Sequence, residues 1–225
     1  MRYRRVKGAT EKIERLREYL VAAPEELRGR WSREAFGNDQ PLFLEMGCGK
    51  GKFVTELARR HPEYNYIGVE GQERVFLRAA QRAHEAGLKN VLFIGEFLQH
   101  PSDCFAKDEV SGLYLNFSDP WPKARHAKRR LTHRRYLEEY RRFLKPEGTV
   151  AFKTDNDDLF EFSVEEFREF GARILEISWD LHGSSLKAKE VTTEYEEKFR
   201  EWGKTIKYLK ASLEPEAGSQ QLKAP

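Results

Sequence analysis

Several short stretches of this chain set carboxylates, glycines or a tryptophan directly behind apolar segments, where a strand would end and meet a ligand. Glu45-Met46-Gly47-Cys48-Gly49-Lys50-Gly51 is the first. Gly47 and Gly49 permit backbone shapes and a close ligand approach that a side chain would block. The spacing is not the G-x-G-x-x-G of dinucleotide binders, and no Gly-Lys-Ser/Thr follows to make a phosphate loop. Glu70 ends the next apolar stretch, 25 positions after Glu45. That is close to the ~20-residue offset at which an acid accepts from ribose hydroxyls. The glycine turn and Glu70 together point to a ligand that carries a nucleoside. Glu96, in Gly95-Glu96-Phe97, sets a further acid where an adenine amine could be met.

The stretch LNFSDPWPKARHAKRR, Leu115 to Arg130, starts as a buried strand and ends strongly basic. Between lies Asp119-Pro120-Trp121-Pro122. It resembles the acid/amide-Pro-Pro-aromatic turn of methyltransferases that act on amino groups of nucleic-acid bases. There the acid or amide holds the base and the ring stacks on it, a contact worth ~1–3 kcal/mol. The plainer reading is a rigid turn around a buried Trp. Lys123, Arg125, Lys128, Arg129, Arg130, Arg134 and Arg135 follow with no acid among them, and Arg2, Arg4, Arg5 and Lys7 open the chain. Such one-signed patches suit a polyanion; a solvated face that binds nothing is the alternative. Asp155, in Lys153-Thr154-Asp155-Asn156, is either a helix N-cap or a substrate contact. Thr193-Glu194-Tyr195-Glu196 has the spacing of a capping box.

The elements that must position these residues alternate. Residues 1–34 read as a basic extension with one short helix, Thr10 to Leu20, whose Ile13, Leu16 and Leu20 share a face. One globular domain is expected over 35–213 and a disordered tail over 214–225. Strands are expected at 42–46, 66–70, 91–94, 113–117, 149–152, 173–178 and 205–209. Helices are expected near 52–60, 73–86 and 133–144, with a further turn capped through Ser163 and Glu166. This alternation predicts an α/β, doubly wound, mostly parallel seven-stranded sheet with helices on both faces. Ligands then bind beyond the carboxyl ends of the strands, near the switch in strand order.

The composition narrows the classes further. The chain has 225 residues, 39% hydrophobic and 34% charged, with a net charge of +3. No apolar run approaches the ~18 residues of a membrane helix, and the first residues lack a signal peptide's apolar segment. Cys48 and Cys104 make no disulfide framework, which places the protein in a reducing, cytoplasmic setting. Cys48 reads as a small residue packed in the glycine turn. The histidines show no metal-ligand spacing, and neither a metal nor a membrane partner is expected.

Taken together, Glu45-Met-Gly-Cys-Gly-Lys-Gly, Ile67-Gly-Val-Glu70, Asn116-Phe-Ser-Asp-Pro-Trp-Pro-Lys123 with its basic run, Phe152-Lys-Thr-Asp155 and Thr193-Glu-Tyr-Glu196 resemble the bacterial tRNA (guanine-N7)-methyltransferases. The resemblance implies a Rossmann-like class I fold and S-adenosylmethionine as cofactor, with S-adenosylhomocysteine as product. It implies methylation of guanine 46 in the variable loop of tRNA. By matching position, Glu45, Gly47, Gly49, Glu70, Glu96 and Asp119 would line the cofactor side, with Asp119 catalytic. Lys123, Asp155, Thr193, Tyr195 and Glu196 would contact substrate. Arg125, Lys128, Arg129 and Arg130 would hold the tRNA backbone. The family's acid or amide after the third strand falls on Phe97 by spacing, so adenine would be met by Glu96 or by the Phe97 backbone. The protein is expected as a monomer or homodimer. The competing readings are a base-amine methyltransferase on other RNA or DNA, a tRNA-binding protein without activity, and a nicotinamide-dependent oxidoreductase. Trp121, the intact strand-end acids and the glycine spacing argue against them in turn.

Overall fold

The computed structural model describes residues 13–214. The Arg2, Arg4, Arg5 and Lys7 cluster, the start of the expected first helix and the tail from 215 onward lie outside the described residues. Eight strands form one sheet: β1 (Leu20–Val21), β2 (Leu42–Met46), β3 (Asn65–Val69), β4 (Val91–Ile94), β5 (Val110–Asn116), β6 (Leu144–Thr154), β7 (Arg173–Ser178) and β8 (Lys207–Ser212). Their order in space is β1-β4-β3-β2-β5-β6-β8-β7. All pairings are parallel except those of β8, which runs against both β6 and β7.

Helices cover both faces: α1 (Lys52–Arg60), α2 (Glu73–Glu85), α3 (Arg134–Phe143), α4 (Asp157–Glu169) and α5 (Glu194–Glu201). Successive strand residues point to opposite faces. Leu42, Leu44, Met46, Ile67 and Val69 therefore pack with Leu137, Tyr140 and Phe143 of α3 and Phe160 and Phe167 of α4. Tyr66, Val91 and Phe93 pack on the other face with Phe53, Val54 and Leu57 of α1 and Leu77, Ala80 and Ala83 of α2. Each large apolar side chain buried this way contributes roughly 1.5–3 kcal/mol before the cost of ordering it.

The sheet has one strand more than the seven expected. The helix expected over 10–20 ends early: Arg17–Tyr19 is a 3-10 turn, and Leu20–Val21 pairs with Phe93–Ile94. Two residues carry no readable period, so the strand is invisible to pattern analysis. Leu16 and Tyr19 are buried, while Ile13 is exposed. Trp31 is fully buried; its Nε1 donates to the Cys104 carbonyl at 2.9 Å and its ring stacks on Phe105. The described part of residues 1–34 thus packs into the same core.

Two capping expectations are corrected. Ser163 lies inside α4, where its hydroxyl donates to the Leu159 carbonyl and can accept from the Thr132 hydroxyl, 2.7 Å away. The helix starts instead at Asn156, whose side chain accepts from the Leu159 amide at 2.8 Å. Asp155 is not the cap. Thr193 and Glu196 do form the expected capping box at the start of α5.

The chain winds from β2 outward through β3 and β4, then returns to β5 and β6 on the other side of β2. Strand order therefore switches between β2 and β5. The glycine turn follows β2 and the Asp-Pro-Trp-Pro turn follows β5, so both stand at the place where open α/β sheets bind ligands.

Candidate active site

The glycine turn is held from below by the neighbouring strand. The amides of Gly47 and Cys48 both donate to the Val69 carbonyl, at 2.8 and 2.9 Å. Gly47 and Gly49 have φ of 77° and 56°, in the left-handed region. A Cβ at either position would meet nothing within 4 Å, so this side of the turn is open. Gly51 differs: a Cβ there would lie 2.7 Å from that of Ala79, and its role is to let α1 pack on α2. Glu70 caps the arrangement, accepting from Gly49 N at 3.2 Å and Gln72 N at 2.9 Å.

Glu45 lies under this turn and is almost fully buried. Asn116, at the end of β5, donates to its Oε1 at 2.9 Å. Oε2 is buried with no partner. Burial raises the carboxyl to about 7, against the lowering effect of the Asn116 hydrogen bond. A buried carboxylate oxygen without a donor is costly unless a ligand supplies one. Cys48 is buried beside it, and burial pushes its thiol well up, as suits a packed residue and not a nucleophile.

The second half of the site leaves β5. Phe117 and Trp121 both adopt positive φ, 51° and 42°, an uncommon state for aromatic residues. The strained turn carries Asp119 on an exposed position and leaves Ser118 Oγ buried and unpartnered. Arg130 is what holds the turn. Its guanidinium donates to the carbonyls of Pro120 (3.0 Å) and Trp121 (3.1 Å) and lies over the Phe162 ring. Two of the five N–H donors of Arg130 are thereby committed to the turn. Arg129 lies 4.8 Å over the Trp121 ring, covering one face of the expected stacking platform. Lys123, Arg125 and Lys128 are exposed.

A third group lies beyond β6. Lys153, on the β6 residue paired with Asn116, has its Nζ almost wholly buried. It donates to the carbonyls of Ala188 (2.6 Å) and Val191 (2.9 Å) and to Glu196 Oε2 (3.1 Å). Burial pulls the Lys153 pKa down and Glu196 pulls it back up. Three acceptors around one Nζ require the ammonium form. Glu196 Oε1 also meets His182 Nε2 at 2.8 Å. Glu196 is fully buried, so it supports the site from beneath, while Tyr195 is exposed. The start of α5 is further tied across the glycine turn: Glu194 pairs with Arg82 (2.5 Å) and Lys50 (3.5 Å), and Glu197 with Lys52. Asp155 accepts from Lys204 at 3.1 Å.

The structure thus brings Glu45, Gly47, Gly49 and Glu70 to one turn, and sets the Asp119 turn and Thr193–Glu196 around it. Glu96 is exposed beyond β4 and has no hydrogen bond to the turn among the described residues. Lys153, Asn116, Ser118 and His182 were not read from sequence as site residues. Asn116 was visible only as a polar residue inside an apolar strand, and Lys153 as one at a strand end. Among the described residues no three His, Cys, Asp or Glu side chains cluster to hold a metal ion, and no helix is long and apolar enough to cross a membrane.

Comparison with known proteins agrees with this layout. A family model described as "Putative methyltransferase" matches residues 39–209. The tRNA (guanine-N(7)-)-methyltransferase of Lachnoclostridium phytofermentans is 44% identical over 216 residues, which cover 96% of this chain and 100% of that protein. The protein of the same name from Brevibacillus brevis is 45% identical over 214 residues, covering 94% and 98%. The solved 16S rRNA methyltransferase KamB superposes with a TM-score of 0.59 at 14% identity, over 80% of this chain and 91% of that one, and shares the fold.

The Glu45 carboxyl yields a stability test. Its pKa in the fold, about 7, lies above the ordinary 4.5. The native state therefore binds the proton more tightly, and the contribution is fully present below the ordinary value and lost as pH rises through about 7. Glu45→Gln removes this dependence. In the ligand-free protein, the stability of Glu45→Gln minus that of wild type, read by chemical denaturation, is expected to rise by roughly 3 kcal/mol between about pH 5 and about pH 8. A difference that stays constant over this range contradicts the assignment.

Proposed function

This chain belongs to the tRNA (guanine-N(7)-)-methyltransferase family, and from that premise we propose that it transfers a methyl group from S-adenosylmethionine to N7 of guanine in tRNA, at guanine 46 of the variable loop. The products are 7-methylguanosine in the tRNA and S-adenosylhomocysteine. The observation that carries this reading is Glu45, buried with one carboxylate oxygen unpartnered beneath an open glycine turn at the switch point.

These residues fit the cofactor. Glu45 would accept from its amino group, which removes the cost of the orphaned oxygen. The open side of Gly47 and Gly49 would leave room for its close approach, and Glu70 would accept from its ribose hydroxyls. Adenine would be met by Glu96 or by the backbone of Phe97, both at the exposed end of β4. When bound, the cofactor supplies a methyl group on a positively charged sulfur.

Guanine N7 has a lone pair and no proton, so no residue is needed as a general base. What the chain must do is hold N7 in line with the methyl group at contact distance. As transfer proceeds, positive charge develops on the purine ring. Asp119, exposed one turn beyond β5, supplies a fixed carboxylate that stabilises this charge. Arg130 keeps Asp119 in place by pinning the carbonyls of Pro120 and Trp121. Lys123, Asp155, Thr193 and Tyr195 would touch the substrate, with Glu196 positioning Thr193 from below. The base must leave its stack to reach the site, as bases generally do for modifying enzymes.

Unmodified tRNA transcripts with methyl-labelled S-adenosylmethionine test the reading. Label should appear in 7-methylguanosine and vanish when the variable-loop guanine is replaced. Label in a methylated amine, or none despite tight tRNA binding, overturns it. Asp119→Asn should keep S-adenosylhomocysteine binding and lose turnover by about a hundredfold; unchanged turnover contradicts the role given to Asp119. For the basic run, replacing Arg125 and Lys128 with Ala should lower the slope of log affinity against log salt by roughly one to two units. An unaltered slope removes these two side chains from the tRNA interface.

A further inference from the structure

Beyond β6, on the same edge of the sheet as Asp119, lies a groove of about 490 Å³ that continues the substrate side from Asp155 to Trp179. Its floor is built by Lys207, which is buried and donates to the Asp155 carbonyl (3.2 Å), the Thr205 carbonyl (3.3 Å) and Asp157 Oδ1 (2.6 Å). One wall is Trp179, the residue after β7. The residue is 51% exposed, and the edge-to-face contact of its ring with Phe160 at 4.7 Å fixes its orientation. The other wall is Lys204, half-exposed, which meets Asp155 Oδ2 at 3.1 Å. Trp179 is one of several large side chains left exposed, with Phe97, Tyr195 and Trp202, and among these it is the one that lines this groove.

We propose that this groove is a second nucleotide subsite, which takes an unpaired base of the tRNA flanking the guanine that is methylated. The inference rests on the reading of the protein as a tRNA methyltransferase. Three features select this occupant. A held, exposed indole face is the stacking surface that single-stranded nucleic acid uses without regard to sequence. The groove offers both acceptors, the carboxylates of Asp155 and Asp157, and a donor, the Lys204 ammonium, which together match a base edge that carries both kinds of group. Its place also fits: the groove spans from the end of β6, next to β5, to Trp179 after β7, three strands from β5 or about 14 Å at the usual strand spacing. A neighbour of a base held at Asp119 falls within that reach. The extruded guanine would then be drawn out together with a stacked neighbour, and Trp179 would hold the opened loop while N7 is aligned.

The experiment combines one protein change with one RNA change in the full-length enzyme and tRNA. Trp179→Ala should raise KM for tRNA about tenfold with kcat and S-adenosylhomocysteine affinity nearly unchanged, and Trp179→Phe should restore most of the loss. Placing an abasic nucleotide next to the target guanine, on one side and then the other, should cost wild type a similar factor on one side. The same abasic tRNA should cost Trp179→Ala nothing further. Losses that multiply, or a Trp179→Ala enzyme with wild-type KM, overturn the subsite while leaving methylation of tRNA intact. Absence of tRNA methylation by the wild-type enzyme overturns the functional reading itself. Should Trp179→Ala fold poorly, Trp179→Phe against the more tolerant Trp179→Leu gives the same cycle, since only the aromatic variant keeps the stacking face.

Discussion

A single buried ammonium organises the substrate side of this protein. Lys153 stands on β6 with its Nζ sealed from solvent, and it reaches two carbonyls of the segment before α5 and the carboxylate of Glu196 inside α5. Burying such a pair costs several kcal/mol per ion and is offset only when every donor finds an acceptor. Here the ammonium's three donors are matched, and Glu196 uses its remaining capacity on His182 and the Thr193 amide. The pair adds little to net stability on these grounds. What it provides is place: a loop-rich segment, whose apolar anchors are Leu181, Leu186, Ala188 and Val191, is held at one position over the strand ends. The more exposed pairs from Glu194 and Glu197 to Lys50, Lys52 and Arg82 are individually weak. They complete a closure whose fixed point is Lys153.

The other half of the site is arranged by restraint at a turn. Phe117 and Trp121 persist at positive φ because surrounding groups over-determine them. Arg130 does so with two hydrogen bonds and the face of Phe162. A residue from the basic run therefore also serves the architecture of the turn. Asn116 links the two halves, since its side chain meets Glu45 under the glycine turn and its backbone pairs with Lys153. The cofactor side and the substrate side are thus neighbours within one strand register.

Much of this was legible in the sequence. Strand and helix alternation from residue 42 onward follows from apolar periodicity, and the glycine turn, Glu70 and Asp119 fall at strand ends as that pattern requires. The Thr193 capping box needs only four consecutive residues and was visible for that reason. What escaped depends on contacts between distant segments. Lys153 reads as a polar residue at a strand end until Ala188, Val191 and Glu196 are brought to it. Arg130 reads as one more cation in a run until Phe162 is placed beside it. Asn156 and Asp155 are equally good caps by type, and only the path of the backbone into α4 selects the first. Strand β1 is two residues long, and its pairing with β4 is set by tertiary packing of Leu16 and Trp31.

The central claim is that Lys153 fixes the segment over the site. Amide hydrogen exchange on a Lys153→Met protein, mapped along the chain, tests it most directly. The account predicts lost protection confined to the segment from His182 to Glu197, with the strands of the sheet as protected as in wild type. Protection unchanged in that segment, or lost evenly across the whole sheet, would contradict it.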